Sequence, residues 1–300
     1  MALLAAGVYL SYDNPHAPQW YLVVPLAWLA VNLLCAMAAN VKLRRGGLLV
    51  FHVALLAVIV LVALGRLTHL DGQLEISEDS AFSASAVHIT RRGPAHSLRL
   101  DQVFFVQGPF TVDYAPGLRR EQTRSQVMLA DSSGRVMPTV VDDAHPLVIQ
   151  DYRFSVTSNK GFGALLTWLP DQGEAVSGTV NMPSYPFNDW NQENRWTPPG
   201  EAEIILRLLL TTALDKDRAW TLSGATAQAK LEIESASRRV ILSPGETIRL
   251  QHGSVRYEGL RAWMGYKVFY DPTLLWLFWV AVSGVLGMAW HFWRKFGIQK

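Results

Sequence analysis

Three stretches of the chain are apolar over about twenty residues each, and this is the pattern of helices that cross a membrane. They cover residues 20–39, 46–65 and 272–293. Since a helix rises about 1.5 Å per residue, twenty residues cover a hydrocarbon core about 30 Å thick. The pattern therefore predicts three membrane-spanning helices.

The first twelve residues, MALLAAGVYLSY, form a shorter apolar stretch. A short first helix, a truncated span and a re-entrant segment all fit this length. No basic residue precedes the stretch and another apolar span follows it, so we do not predict a cleavable signal peptide.

Residues 67–271 show a different pattern, in which short runs of alternating polar and apolar residues are separated by turn residues. Runs such as SLRLDQVFFVQG and ETIRLQHGSVRYEGL are typical of strands, and we expect turns at residues 158–161 and 243–246. Residues 201–217 are the best candidate for a soluble helix, and residues 183–201 are predicted to form a long loop.

The pattern as a whole predicts an integral membrane α-helical protein with a large β-rich domain, an antiparallel sandwich or open barrel. We divide the chain into N-terminal membrane helices (1–66), the β-rich domain (67–271), and a final transmembrane helix with a basic tail (272–300).

Basic residues lie beside two of the apolar spans and predict the orientation in the membrane. They are Lys42, Arg44, Arg45, Arg294, Lys295 and Lys300. The positive-inside rule puts both groups on the cytoplasmic side. We therefore expect a multi-pass protein of the bacterial inner membrane, with the β-rich domain on the periplasmic or outer side and a cytoplasmic C-terminus.

Composition excludes several functions. The net charge of +2, without a Lys/Arg-rich block, does not favour nucleic acid as a partner. The single cysteine, Cys35, lies within a predicted span, so the β-rich domain has neither a disulfide nor a CxxC pair. No CxxCH, Walker-type loop, GxSxG or HExxH motif is present, and we predict no catalytic residue.

His52 is the one strongly polar residue in the second span, GGLLVFHVALLAVIVLVALG. An unpaired imidazole costs several kcal/mol in an apolar medium, so an ionisable residue in a span is a functional candidate with an expected partner. One interpretation is a hydrogen bond to a neighbouring helix, for example to Asn32. The other is axial ligation of haem iron, for which imidazole is the usual nitrogen ligand.

Two further histidines lie near the ends of the predicted spans. His52 lies about 9 Å along its helix from Gly46, and His291 lies in the same leaflet, three residues before Arg294. His291 is either a second cofactor contact or an interfacial anchor beside two tryptophans. His69 lies beyond the other end of the His52 helix and is interpreted as a helix-end residue.

Several sequence strings, in this order, resemble the ResB-type subunit of the cytochrome c assembly system. VNLLCAM ends a span as the family's Asn-Leu-x-Cys segment does, and GGLLVFHVALLAVIVLVALGRL with DGQLEISEDSAF resembles its histidine-bearing helix and domain entry. HPLVIQDYRFSVTSNKGFGALL and WMGYKVFYDPTLLWLFWVAVSGVLGM resemble a strand pair and the join to the final span. The first helix of the family is longer than residues 1–12 here.

The resemblance implies an accessory subunit of a cytochrome c haem lyase complex, not catalytic alone. Such proteins act with a Trp-rich ResC-type membrane subunit, moving haem b across the membrane for attachment to apocytochrome c. The family's haem-ligating histidine corresponds to His52, with the opposing ligand from the partner; His291 has no trusted counterpart. The partner's "WWD" segment is absent from this chain.

A function without haem remains an alternative from the residues themselves. The chain would then be a membrane-anchored scaffold whose β-rich domain binds a protein or envelope component, or a haem-free subunit of a respiratory or transport complex. His52 would be a packing contact between helices. Haem content distinguishes these alternatives from the haem-binding one.

Overall fold

A computed structural model describes residues 2–13, 18–97, 99–130, 135–187, 191–211, 216–235 and 238–297. Its α-helices are α1 (Ala2–Asp13), α2 (Trp20–Ala39), α3 (Gly46–Thr68) and α4 (Leu274–Gly297). Within the described residues, three helices, α2, α3 and α4, are long and apolar enough to cross a membrane. The three predicted spans are confirmed.

The first apolar stretch forms a short helix, α1, which packs against α2. It has 12 residues, so its rise of about 18 Å is less than the hydrocarbon thickness. The two helices are in close contact, because a Cβ added to Gly7 would lie 2.2 Å from the carbonyl oxygen of Tyr21.

Helices α3 and α4 pack closely through small residues. A Cβ added to Gly47 would lie 2.1 Å from the carbonyl oxygen of Gly287, and one added to Gly284 would lie 3.1 Å from the Cβ of Ala54. Small residues allow this approach, which maximises van der Waals contact where there is no hydrophobic driving force between helices. The contact fixes which side of α3 faces α4.

Both basic groups lie at the same end of the helices. The connection between α2 and α3 carries one group, and the end of α4 carries the other. They are close in space, because a Cβ added to Gly46 would lie 3.9 Å from Nη1 of Arg294. We call this the basic end of the helices and the opposite one the domain end.

Residues 70–270 form the β-domain. Its strands in the described residues are β1 (Leu70–Ser77), β2 (His88–Arg92), β3 (Val106–Ala115), β4 (Arg119–Ala130), β5 (Val136–Asp142), β6 (Leu147–Ile149), β7 (Tyr152–Pro170), β8 (Val176–Asn181), β9 (Glu193–Trp196), β10 (Ile204–Leu210), β11 (Trp220–Ser223), β12 (Ala229–Ser235), β13 (Arg238–Leu242), β14 (Thr247–Arg249) and β15 (Gly253–Tyr270).

The described strands form three antiparallel sheets. The 7-stranded sheet has the order β2-β1-β15-β7-β6, with β14 beside β15 and β8 beside β7. The two 4-stranded sheets have the orders β13-β12-β10-β9 and β11-β3-β4-β5. One cluster of buried apolar side chains, from Leu70 to Val268, includes residues of all three sheets. The predicted β-rich domain on membrane helices is confirmed.

Two neighbouring strands connect the β-domain to the membrane helices. Strand β1 begins two residues after α3 ends, and β15 ends four residues before α4 begins. The two strands pair from Leu70 opposite Tyr270 onward. The helix that carries His52 therefore leads directly into an inner strand of the largest sheet.

The soluble helix predicted for residues 201–217 is wrong. Residues Ile204–Leu210 form β10, between β9 and β12, and residues 212–215 lie outside the described part. Alternate residues Ile204, Leu206 and Leu208 are buried. The leucines favour a helix, but pairing on both edges and a period of two in burial decide for a strand.

Two of the loop predictions also change. The turn predicted at residues 158–161 lies inside β7, where Gly161 pairs with Trp263 of β15. A Cβ on Gly161 would lie 3.0 Å from the indole ring of Trp263, so the glycine makes room for the ring. The long loop predicted at 183–201 includes the short strand β9. At residues 243–246, the predicted turn is confirmed, with Gly245 at φ +88°.

Candidate functional site

The imidazole of His52 is held by its own helix. Its Nδ1 lies 2.6 Å from the carbonyl oxygen of Leu48, one turn earlier. A carbonyl oxygen only accepts hydrogen bonds, so Nδ1 carries the proton and Nε2 has a free lone pair. The ring also makes an edge contact with Phe51, with 5.4 Å between the centroids.

No described residue forms a hydrogen bond with Nε2 of His52, and the predicted partner Asn32 makes no such contact. The hydrogen bond at Nδ1 fixes the tautomer and the ring orientation. Metal-ligating histidines are commonly held in this way, through a carbonyl or carboxylate on the other nitrogen. His52 therefore has a fixed ring and an available nitrogen ligand.

His52 lies on the side of α3 that faces away from α4. Gly47 contacts α4, and five residues at 100° per residue place His52 about 140° further round the helix. The side chain is only partly buried within this chain. The ring of His52 therefore lies outside the contact between α3 and α4.

His291 lies at a different position relative to α3. A Cβ added to Gly47 would lie 2.6 Å from the backbone nitrogen of His291, so this part of α4 rests on the opposite side of α3 from His52. The ring of His291 contacts Phe292, with 5.6 Å between centroids. Among the described residues there is no contact between the two imidazoles, and a haem-binding role for His291 remains a prediction.

Comparison with known proteins identifies the family of the chain. Residues 32–192, more than half of the chain, match the model of the ResB-like family. The chain belongs to the ResB-like family. The match includes His52 and the first half of the β-domain. A search of curated proteins returned no match.

Membership of the ResB-like family indicates involvement in cytochrome c biogenesis. The three apolar helices make this ResB-like chain a multi-pass membrane protein. Both are consistent with action in a membrane complex.

His69 lies at the domain end of α3 in this ResB-like chain. Its backbone N–H donates to Gly65 at 2.8 Å, as expected for a residue that ends a helix. Nδ1 lies 3.0 Å from the carbonyl oxygen of Arg66, and the buried Nε2 has no hydrogen-bond partner among the described residues. Burial is the main cause that lowers the pKa of His69, so the neutral form is favoured.

His96 connects α3 to the β-domain, a role that was not predicted from the sequence. Its Nδ1 lies 2.6 Å from the carbonyl oxygen of Thr68, the last residue of α3, and its Nε2 lies 2.9 Å from the hydroxyl of Tyr152 in β7. Both nitrogens are therefore occupied, and burial lowers the pKa of His96. Its partners are 28 and 56 residues away in the chain, so no local sequence signal indicates this role.

Lys160, in the middle of β7, is fully buried and was also missed. Its Nζ donates one hydrogen bond, to the carbonyl oxygen of Ser158 at 3.3 Å, and lies 5.7 Å from the ring centroid of Tyr114. Burial, reinforced by the charge of Arg120, lowers the pKa of Lys160 to about 8. The strand pattern alone does not indicate which polar residue faces the core.

Proposed function

We propose that this ResB-like chain is an accessory subunit for cytochrome c maturation, which binds haem as cargo through Nε2 of His52. It acts with a Trp-rich ResC-type membrane subunit to move haem b across the membrane and present it to apocytochrome c. The chain is not catalytic alone.

The observation that carries the proposal is the free Nε2 of a fixed imidazole within an apolar helix. The hydrogen bond from Nδ1 to the carbonyl oxygen of Leu48 already orders the ring. Binding through the Nε2 lone pair therefore costs no further conformational entropy of this side chain. Haem supplies an iron that accepts axial nitrogen ligands and a largely apolar macrocycle. The donor type and the apolar surroundings of His52 fit this group.

The position of His52 supports an interface with a second subunit. The ring lies away from α4 and is partly exposed within this chain. His291 lies across α3 from it, so the opposing axial ligand is expected from the partner. In this proposal, His52 supplies one axial ligand and shields that face of the haem from water. The partner supplies the opposing axial ligand.

The location of the basic residues supports an orientation. Since both basic groups lie at one end of the helices, the positive-inside rule favours that end as the cytoplasmic one. The β-domain then lies on the periplasmic side of a bacterial inner membrane, where c-type cytochromes receive haem. His52 lies about 9 Å from the basic end of its helix, in the inner leaflet.

The test is the haem content of the complex purified with the ResC-type subunit from haem-replete cells. Wild type is expected to show the absorbance of haem with two imidazole ligands, and His52→Ala is expected to lose at least about nine-tenths of it. His145→Ala is the matched control, because His145 is an exposed turn residue of the β-domain with a side-chain exposure of 81%. We expect His291→Ala to differ little from wild type.

Each outcome has a defined meaning for the proposal. Loss of haem in His52→Ala alone, with the partner still co-purifying, supports the ligand role. A colourless wild-type complex, or equal haem in His52→Ala, contradicts it and favours the haem-free scaffold. If His291→Ala loses haem equally, the second ligand lies in this chain instead of the partner.

A further inference from the structure

Two sheet edges of the β-domain face each other across a groove of about 790 Å³. One is β8, the outer strand beside β7, and the other is β9, the outer strand beside β10. Their outer edges are joined at one point, where the side-chain amide of Asn194 donates to the carbonyl oxygen of Asn181 at 2.6 Å. Beyond this bond, neither outer edge pairs with a described strand.

The register shows which backbone groups of β8 face the groove. Met182 donates to the carbonyl oxygen of Phe162, so residues 182, 180 and 178 direct their backbone groups toward β7. In an antiparallel pair the alternate residues point the other way. Ser177, Thr179 and Asn181 therefore direct N–H and C=O groups into the groove. The carbonyl of Asn181 already bonds to Asn194, and a further strand would complete the hydrogen bonds of Ser177 and Thr179.

The side chains around these edges are aromatic, amide or acidic. Trp168, Trp196 and Trp263 line the groove together with the carboxylates of Glu75 and Glu193, and no described lining residue is Lys or Arg. Glu193 is paired with Arg207. Glu75 is exposed, and its carboxylate accepts one hydrogen bond, from Asn159 at 2.6 Å.

From these observations we propose that the groove binds an extended basic polypeptide segment as a β-strand added to the free edge of β8. The free backbone groups of β8 recognise an extended main chain. Glu75 and the partly exposed indole of Trp196 recognise Lys or Arg side chains, through charge and cation–π attraction. This site is separate from His52 and does not depend on haem binding.

The groove disfavours other ligands of similar size. An anionic ligand would meet the exposed carboxylate of Glu75 and no basic side chain among the described lining residues. A small organic cation would satisfy Glu75 but would leave the row of β8 backbone groups without partners. An extended chain with alternating basic residues satisfies both features at once.

The test uses the full chain in nanodiscs of neutral phosphatidylcholine and a fluorescent peptide of about ten residues that alternates lysine and threonine. Binding is followed by anisotropy. We expect it to be at least about tenfold tighter than binding of the Glu-Thr peptide, and of the Lys-Thr peptide N-methylated at alternate residues. N-methylation keeps the charges but removes main-chain donors, so it separates strand addition from simple charge attraction.

Two variants locate the site. A Cβ at Gly178 has no atom within 4 Å, so Gly178→Phe fits the fold while its ring occupies the groove; we expect about tenfold weaker binding or more. Glu75→Gln is expected to weaken binding about threefold and to lower its salt dependence. Glu121→Gln is the matched control, since Glu121 is an exposed acid of β4 outside the groove.

Equal binding of the N-methylated peptide, or of the acidic peptide, would overturn the proposal, as would unchanged binding in Gly178→Phe. If Gly178→Phe fails to fold, the difference between Glu75→Gln and Glu121→Gln decides. A dimer in solution that Gly178→Phe dissociates would assign the groove to a second copy of the chain and would also overturn it.

Discussion

His52 in the membrane helices and His96 at the start of the β-domain have the same hydrogen bond on one nitrogen and differ on the other. In both, Nδ1 lies 2.6 Å from a backbone carbonyl oxygen of α3. At His96, Nε2 bonds to the hydroxyl of Tyr152, whereas at His52 no described residue forms a hydrogen bond with Nε2. One imidazole is a completed structural connection, and the other has a ligand position available.

A related contrast distinguishes the two regions around these histidines. The helices pack through glycine contacts that need few polar groups. In the β-domain some buried polar groups bond within networks, as Tyr266 does to both Gln107 and Ser125, while others, such as the hydroxyl of Tyr114, have no hydrogen-bond partner among the described residues. Because any polar group is unusual in lipid, one left free in the membrane region is more informative about function than a buried one in the β-domain.

The largest effect is expected from breaking the helix packing at Gly47. In Gly47→Val the first added atom would lie 2.1 Å from the carbonyl oxygen of Gly287, and overlap of this kind costs about 3 kcal/mol. We expect α3 and α4 to separate while the β-domain stays folded. The measurement is a disulfide between Ala54→Cys and Gly284→Cys, in a Cys35→Ser background, which should form readily only with Gly47 intact.

Leu55→Val is the control for this experiment, because Leu55 is 40% exposed on α3. Equal crosslinking in Gly47→Val would show that the two helices do not pack through Gly47, and would remove the basis for the placement of His52.

The second prediction compares the loss of stability caused by His96→Ala with that caused by His52→Ala. His96→Ala removes the buried partner of the Thr68 carbonyl and one of the partners of the Tyr152 hydroxyl, which should lower the free energy of unfolding by about 2 to 3 kcal/mol. His52→Ala removes a single bond within one helix and should cost less than about 1 kcal/mol. Denaturant unfolding in detergent, followed by tryptophan fluorescence, measures both.

If His52→Ala were the more destabilising of the two, His52 would be a structural residue, and the contrast between the histidines would not hold. Tyr152→Phe provides a second measure of the His96 connection and should produce part of the same loss.

A smaller effect of opposite sign is expected at Lys160. Its pKa is lowered to about 8 in the folded protein, so between pH 8 and the ordinary value the unfolded chain binds more protons. Stability therefore rises with pH in this window. Lys160→Met should raise the free energy of unfolding at pH 7 by about 2 kcal/mol and flatten the rise between pH 8 and 10.

The stability measurements should not extend above about pH 10, because Tyr114 and Tyr257 have pKa values raised to about 12. Raised tyrosine pKa values reduce stability above pH 10 and would hide the lysine effect. A wild-type stability that is flat from pH 8 to 10 would contradict the buried, partly neutral Lys160.

The sequence predicts the membrane helices better than the β-domain, for a physical reason. A span depends on length and apolarity, which are local properties, whereas strand pairing depends on distant residues. Residues 201–217 contain strong helix formers, yet pairing with β12 and β9 makes Ile204–Leu210 a strand. His52 was recognisable because lipid makes any polar group unusual. His96, Lys160 and the β8–β9 groove depend on contacts made only in the folded chain.

The most direct test of the central claim is chemical rescue of the missing imidazole. In the complex with the ResC-type subunit, His52→Gly removes the ring, and free imidazole is then added to the haem-depleted preparation together with haem. We predict that imidazole restores the two-imidazole absorbance in His52→Gly and has no effect on wild type. Full haem absorbance in His52→Gly without added imidazole would contradict the account.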